Sequence, residues 1–457
     1  MKGKTLFKNF REVSAKEWKQ NIQYDLKGKD YNDEVVWDSP EGIKVKPFYH
    51  ADDLAGRDTE GSYSKPWKIG HTIYAGNAIM ANEKAHVFFR KGAEAICFVI
   101  PAETVDPAVL LNNIDLKRVN IHLQMQFLSK KYLSSVLRTV AGSNNLFFQV
   151  DPIGHLARTG NWYESMSKDF SVLDELIALN SANLLVVDMS LYENAGADIG
   201  QQLAFALAHA NEYLNYSSTE GRLSKLKSIE FIMAIGGNYF FEIAKVRALR
   251  KLFEILTEAY GVTLGCHITA MPTKRNKTIF DYNVNMIRTT TECMSAILGG
   301  SDSIFNIPYD AVYKKDNDFA NRIALNQLVL LKEESYFDKV ENPTDGSYYI
   351  ETLTSQLAEK ALVLFKSIER DGGFLSQLKN QSIQNKIAES AKKQEEKIKS
   401  KKAVLIGTNA YRHSEDRMGD QLEIYPFVKR NPRKTLIIPI IEKRLAEESE
   451  QNRLKDE

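Results

Sequence analysis

The amino-acid sequence predicts an α/β protein in which parallel strands alternate with helices, and two observations support this fold class. First, short apolar runs of strand length recur without clean polar alternation, which is typical of parallel strands buried on both faces. Second, segments with helical spacing separate most of these runs, as in chains that build a parallel sheet. The runs lie at residues 95–100, 121–127, 145–150, 183–189, 228–235, 262–267 and 302–307.

The number of strands decides between two architectures. Eight parallel strands would close into a (β/α)8 barrel, whereas seven would leave an open sheet with helices on both faces. We predict a short eighth strand at residues 214–216. With that strand the pattern favours the barrel.

Segments of different character flank the predicted barrel, which we assign to residues 91–375. Residues 1–90 are polar and carry large aromatic side chains such as Trp18 and Trp37. Because such rings need a surface to cover, we predict an extended arm that packs either on its own barrel or on another subunit. Residues 376–457 are assigned to a C-terminal helical region.

Helix signals are clearest near the end of the barrel and beyond it. A helix is predicted at residues 238–259, with Asn238 as its cap and Glu242 favourable for the helix dipole. Further helices are predicted at 321–334 and 351–370. A last strand-like run lies at 403–407, and the charged residues 443–457 are expected to be frayed.

Composition excludes several classes of protein. The 60 basic and 59 acidic residues nearly cancel, which argues against a nucleic-acid or anionic-membrane partner. Cys97, Cys266 and Cys293 form no CxxC pair, so neither disulfides nor a zinc site are predicted. The N-terminus lacks a secretory pattern and no run of about 18 apolar residues occurs, so we expect a cytoplasmic protein.

Motifs for catalysis are sparse. No phosphate-binding loop, HExxH zinc helix or GxSxG nucleophile elbow occurs. In a barrel enzyme, catalytic residues lie at the C-terminal ends of strands. His267 ends a predicted strand, His155 follows one more loosely, and Asp188 and Glu193 lie near another without an obvious partner. These residues form no convincing catalytic group.

Several longer motifs resemble the methylmalonyl-CoA mutase family, and the resemblance extends over roughly residues 10 to 425. They are WDSPEGIKVKP at 37–47, IGGNYFFEIAKVR at 235–247, NMIRTTTE at 285–292, AILGG at 296–300, RIALN at 322–326, KEES at 332–335 and PTDGSYY at 343–349. The resemblance implies a TIM-type (β/α)8 barrel that threads a CoA ester along its axis. It also implies the radical rearrangement of methylmalonyl-CoA to succinyl-CoA, started by adenosylcobalamin on a flavodoxin-like C-terminal domain.

The cobalamin motif of the family is missing from this sequence. That motif reads Asp-x-His-x-x-Gly, and none of the eight histidines has Asp two places before it. Only 49 residues follow Thr408, fewer than the roughly 100 of a doubly wound domain. We therefore expect no flavodoxin-like domain and no cofactor bound by this chain.

A second departure concerns substrate activation. Active mutases carry Gly-Tyr-His after the fourth strand, where this chain has Met189, Ser190 and Leu191. The family's histidine polarises the thioester carbonyl, and leucine cannot donate that hydrogen bond. Loss of one such donor typically costs about 3–4 kcal/mol.

Two further family positions are altered. The Arg-Thr-His-Ser segment that helps to hold substrate reads Gly-Cys-His-Ile at residues 265–268. Tyr63 lies near the position of the family's radical-stabilising tyrosine but is shifted by one residue, so the role is not carried over.

Some bacterial members of the family are heterodimers of a catalytic large subunit and a related inactive one. The departures favour the inactive type here, with no catalytic, cofactor-binding or metal residues, a filled or narrowed barrel, and adenosylcobalamin in the partner. Trp18 and Trp37 would contact that large subunit. One alternative is the barrel subunit of a split acyl-CoA mutase whose cobalamin domain is a separate chain. Another is a purely structural or metallochaperone-associated scaffold.

Overall fold

The computed structural model describes residues 9–11, 13–54, 66–140, 143–179, 183–429 and 433–457. Eight parallel strands close into a barrel in chain order, and a two-stranded antiparallel hairpin precedes them. The hairpin strands are β1 (Trp37–Asp38) and β2 (Lys44–Val45). The barrel strands are β3 (Lys68–Tyr74), β4 (Ala95–Ile100), β5 (Asn120–Met125), β6 (Leu146–Val150), β7 (Asn183–Asp188), β8 (Ser228–Ile235), β9 (Gly265–Pro272) and β10 (Ser303–Phe305). The predicted (β/α)8 barrel is confirmed. All described strands belong to the barrel or the hairpin, so no flavodoxin-like sheet lies within these ranges.

Helices surround the barrel and continue beyond its last strand. They are α1 (Ala15–Asp25), α2 (Tyr31–Val35), α3 (Ala78–Arg90), α4 (Pro107–Leu110), α5 (Lys130–Thr139), α6 (Pro152–Thr159), α7 (Met166–Ala178), α8 (Ser190–Ala195), α9 (Ile199–Thr219), α10 (Tyr239–Ala259), α11 (Val284–Leu298), α12 (Asp318–Glu333), α13 (Tyr348–Arg370), α14 (Gly373–Lys379), α15 (Ser382–Lys399) and α16 (Glu447–Lys455). Within the described ranges, no helix has both the length and the apolar character needed to cross a membrane.

The eighth strand is not where the sequence predicted it. Residues 214–216 lie inside α9, where Leu214 is buried in the core and Tyr216 packs edge-on against Phe170. The missing strand is β3, where outward-facing Ile69 and Ile73 alternate with inward-facing Gly70 and Thr72. Because only its outward-facing residues are strongly apolar, the strand lacks the continuous apolar run that marks the other strands in the sequence. The barrel therefore begins inside the segment 1–90 that was assigned to the arm.

Helix α10 confirms the predicted element but not the detail of its first turn. Phe241, Ala244 and Leu252 are buried as expected for the inner face. The side chain of Asn238, however, accepts no hydrogen bond from the helix. Glu242 is buried and pairs with Lys245 at 2.6 Å, so it serves an internal ion pair rather than a solvent-exposed helix end.

Part of the C-terminal segment 443–457 is packed, contrary to the predicted fraying: Arg444, Ala446, Glu447 and Glu450 are buried, whereas residues 451–457 are exposed or half-buried. Arg444 and Glu450 are both buried and form an ion pair at 2.7 Å. The guanidinium of Arg453 lies 3.9 Å from the ring centroid of Phe280. The predicted strand at 403–407 is reduced to a single bridge between Ile406 and Ala410.

Candidate functional site

Four rings fill the N-terminal half of the barrel interior. His122 stacks on Phe147 with centroids 4.5 Å apart, because β5 and β6 place these residues side by side. Phe147 is also 4.3 Å from His267, and Phe305 meets His122 edge-on at 5.3 Å. We call these four residues the ring cluster. Beyond it the interior opens, since Thr72, two residues after inward-facing Gly70, is exposed.

A buried carboxylate lies beside the ring cluster. One oxygen of Glu230, Oε1, accepts hydrogen bonds from His122 Nδ1 at 2.9 Å, Thr269 Oγ1 at 2.6 Å and Gln149 Nε2 at 3.2 Å. Burial alone would raise the pKa of Glu230, but its interactions with His122, together with those of His267 and Thr269, outweigh burial and lower that pKa. Burial lowers the pKa of His267, which favours its neutral form.

A cavity of about 640 Å³ opens at the N-terminal ends of the strands and reaches His267. Its cationic groups are engaged with the protein. Arg250 forms an ion pair with Asp302 at 2.7 Å and donates to the Cys266 carbonyl at 2.8 Å. Lys68 donates to Asn120 at 3.1 Å. This mouth of the barrel is polar, and the ring cluster separates it from the opposite end.

A second cavity, of about 660 Å³, lies where β8 and β9 end. Barrel enzymes carry their active sites at this face. Burial, opposed by Lys245, raises the pKa of Glu193 to about 7. Nearby, Lys245 donates to the Ala234 carbonyl at 2.7 Å and to Gln202 at 3.0 Å. The cavity thus borders a network of mutually paired buried charges.

The structure places the sequence-predicted site residues apart from one another. His267 is the third residue of β9, near its N-terminal end, so the prediction that it ends a strand was wrong. The inward polar residues of β9 interrupt its apolar pattern and made the strand seem to stop early. His155 lies in α6 and stacks on Tyr163 with centroids 3.7 Å apart.

The two carboxylates predicted without a partner both have one. Asp188 forms an ion pair with Arg158 at 2.6 Å and accepts a hydrogen bond from the Ser190 hydroxyl. Glu193 accepts a hydrogen bond from the Gln202 amide. Leu191 is 1% exposed and belongs to the main hydrophobic core. Tyr63 lies outside the described residues.

Sequence reasoning missed His122 and Glu230 because each lies within an apolar strand. The signal that could have found them is a charged or polar residue inside an apolar strand. Side chains alternate between the two faces of a strand, and these two residues lie at positions that face the barrel interior. A glutamate or histidine inside a strand buried on both faces requires a partner. Here the partners come from other strands, so no local motif could show them.

Comparisons with known proteins agree with this architecture. A family model described as methylmalonyl-CoA mutase matches residues 97–452. A methylmalonyl-CoA mutase small subunit from Porphyromonas gingivalis is 34% identical over 92% of this chain and 73% of that protein. A small subunit from Streptomyces virginiae is 26% identical over 90% of this chain and 72% of its own length. The large subunit from Porphyromonas gingivalis is 26% identical over 85% of this chain, which spans 62% of that protein. This chain belongs to the methylmalonyl-CoA mutase family.

Proposed function

We propose that this chain is the small, non-catalytic subunit of a heterodimeric methylmalonyl-CoA mutase. A homologous large subunit would carry adenosylcobalamin and perform the rearrangement in propionate metabolism. The ring cluster carries this proposal, since Phe147, His267 and Phe305 occupy the axis along which the family threads its CoA ester. An acyl chain could pass only if these rings moved out of a packed interior.

The position that holds the thioester-polarising histidine in active members of the family supports the same assignment. Leu191 occupies the position of the family's histidine and is packed in the core. Its neighbour Ser190 donates to Asp188, which is already paired with Arg158. A side chain with no hydrogen-bond donor cannot stabilise charge on a carbonyl oxygen.

The described histidines near the strand ends do not fit a cobalt ligand. His209 is fully buried, and both ring nitrogens are engaged, one with Tyr192 at 2.9 Å and the other with Asp151 at 2.9 Å. His155 is covered by Tyr163. We therefore assign adenosylcobalamin to the partner and propose that no step of the reaction takes place on this chain.

The N-terminal arm offers the surface for that partner. No residue of α1 is buried, and Trp18 is 52% exposed although it makes an edge contact with Phe48 at 5.8 Å. Tyr24, on the same helix, is 85% exposed. Exposed aromatic side chains of this kind are typical anchors of protein interfaces. The existence of both a small and a large subunit in Porphyromonas gingivalis supports a large-subunit partner.

We further propose a cytoplasmic location. The three cysteines, Cys97, Cys266 and Cys293, are all free thiols. Burial raises the pKa of each of them, so they stay protonated. Unpaired thiols of this kind suit a reducing compartment.

Calorimetry and activity assays test the proposal. The isolated chain should show no heat with methylmalonyl-CoA and no turnover with adenosylcobalamin. When mixed with the large subunit it should form a stable one-to-one complex. Turnover by the isolated chain, or failure to bind the large subunit, would contradict the assignment.

The cavity at the N-terminal mouth favours one second candidate, the barrel subunit of a split acyl-CoA mutase. Its lining includes Lys68 and several asparagines that could contact an anionic nucleotide. In that case methylmalonyl-CoA should bind the isolated chain, and Lys68→Ala should weaken the binding. A separate cobalamin-binding chain would then be needed for turnover.

A further inference from the structure

Three side chains from three different strands converge inside the barrel. His122 lies on β5, Glu230 on β8 and His267 on β9, and the last two are register partners on adjacent strands. Each offers one ligand atom, and these atoms all lie within 4.8 Å of one another. Among the described residues, this is the group of histidine, cysteine and acidic side chains whose spacing suits a metal ion.

Hydrogen bonding within the described residues leaves part of this group unsatisfied. Three donors converge on Glu230 Oε1, yet Glu230 Oε2 is buried and has no hydrogen-bond partner there. His122 Nε2 is likewise buried without a partner among those residues. Both side chains are at least 98% buried. Buried polar atoms without partners are costly, and one established reason for them is an ion that they bind.

The donor set identifies the class of ion. Two imidazole nitrogens and one carboxylate are ligands that Zn²⁺ prefers, at about 2.0–2.2 Å. Mg²⁺ and Ca²⁺ instead require six or more oxygen ligands, whereas two of the three groups that converge here among the described residues are imidazoles.

The surroundings resemble those that hold metal ligands in place. Gln149 and Thr269 donate to Glu230, and the stacked ring of Phe147 fixes the plane of His122. Such outer contacts orient the ligands and tune their basicity. His267 also lines the cavity at the N-terminal mouth, so an ion can reach the group from solvent.

We propose that His122, Glu230 and His267 bind one divalent transition-metal ion, with Zn²⁺ the best match, and that this ion ties β5, β8 and β9 together across the barrel. A non-protein ligand such as water completes the coordination. This site is additional to the proposed function and does not depend on it. A non-catalytic subunit could hold the ion, and a catalytic one could lack it.

The proposal is tested by metal binding to the whole chain. The protein carries no affinity tag and is first stripped of metal with a chelator. Titration with Zn²⁺ should show one equivalent bound per chain and should raise the melting temperature. Co²⁺ should give the strong visible absorption of a four-coordinate site with nitrogen and oxygen ligands, without a thiolate charge-transfer band. Absence of both signals overturns the proposal.

Variants locate the site. Glu230→Gln and His267→Gln should each weaken Zn²⁺ binding by about tenfold or more and remove the Co²⁺ absorption. His155→Gln, a histidine substitution outside the group, should leave both unchanged. Circular dichroism tests whether each variant is folded. If a variant is unfolded, the Co²⁺ absorption of the wild-type chain still decides whether the site exists. Equal binding by the wild type and the Glu230 variant would refute the assignment.

Discussion

The ring of Phe305 lies directly against the backbone of Gly70, so that a Cβ atom on residue 70 would stand 2.7 Å from three ring carbons. The two residues are register partners on β10 and β3. Phe305 belongs to the ring cluster that fills the N-terminal half of the barrel interior. Glycine at position 70 is what permits so large a side chain there.

This contact predicts a strong coupling between the two positions. Gly70→Ala should lower the free energy of unfolding by about 1–3 kcal/mol, as overpacking of an interior does. In a Phe305→Ala background the same substitution should cost much less, because the clashing ring is gone. A double-mutant cycle by urea denaturation measures the coupling. Additive effects would show that the ring moves aside freely.

The packing of Leu191 predicts that a histidine at this position will not create acyl-CoA binding. Leu191→His places a polar ring in the hydrophobic core, where an unsatisfied group costs about 1–3 kcal/mol. The variant should be less stable and should still give no heat with methylmalonyl-CoA. Leu191→Met is the matched control and should cost under about 1.5 kcal/mol. Acyl-CoA binding gained by the histidine variant would argue for a latent active site.

The raised pKa of Glu193 predicts that the stability of the chain depends on pH. Its pKa is raised by burial from 4.5 to about 7, so the folded chain retains a proton that the unfolded chain has lost. The stabilisation is therefore complete below about pH 4.5 and is lost as the pH rises through 7. The free energy of unfolding should fall by roughly 3 kcal/mol across this window.

Urea denaturation at several pH values isolates this contribution. Glu193→Gln keeps the shape of the side chain but does not titrate, so the fall in stability should be smaller by that amount. Glu389→Gln, on the rim of the same cavity, replaces an exposed carboxylate. It should retain the wild-type pH dependence. Identical profiles for all three proteins would assign the fall to other groups.

The exposed arm predicts a residue that matters for association alone. Trp18→Ala should change the melting temperature of the isolated chain only slightly, since no residue of α1 is buried and the ring contact of Trp18 is with Phe48. It should weaken binding to the large subunit by at least about tenfold, as truncation of an aromatic anchor does. Phe319 is exposed to a similar degree, 55%, and Phe319→Ala should not affect that binding. Equal affinity for all three proteins would move the interface elsewhere.

The sequence by itself determined the class of fold and the family. Apolar runs spaced by amphipathic helices reflect burial on both faces of a parallel sheet, so the pattern located seven of the eight strands, although the run at 262–267 overlaps only the first three residues of β9. The eighth, β3, could not be located, because half of its residues face the barrel interior and are not apolar. The burial of residues near the C-terminus also escaped prediction. In the sequence, Arg444 and Glu450 are part of a run of charged residues, and only the folded structure buries them as an ion pair.

Only the tertiary structure decided what lies inside the barrel. His122, Glu230 and His267 are separated by dozens of residues, and they meet because β5, β8 and β9 turn the same faces toward one axis. The lowered pKa values of Glu230 and His267 and the hydrogen bonds that Glu230 accepts follow from that convergence. Local sequence carries the periodicity of each strand, but the register between strands sets which side chains share the interior.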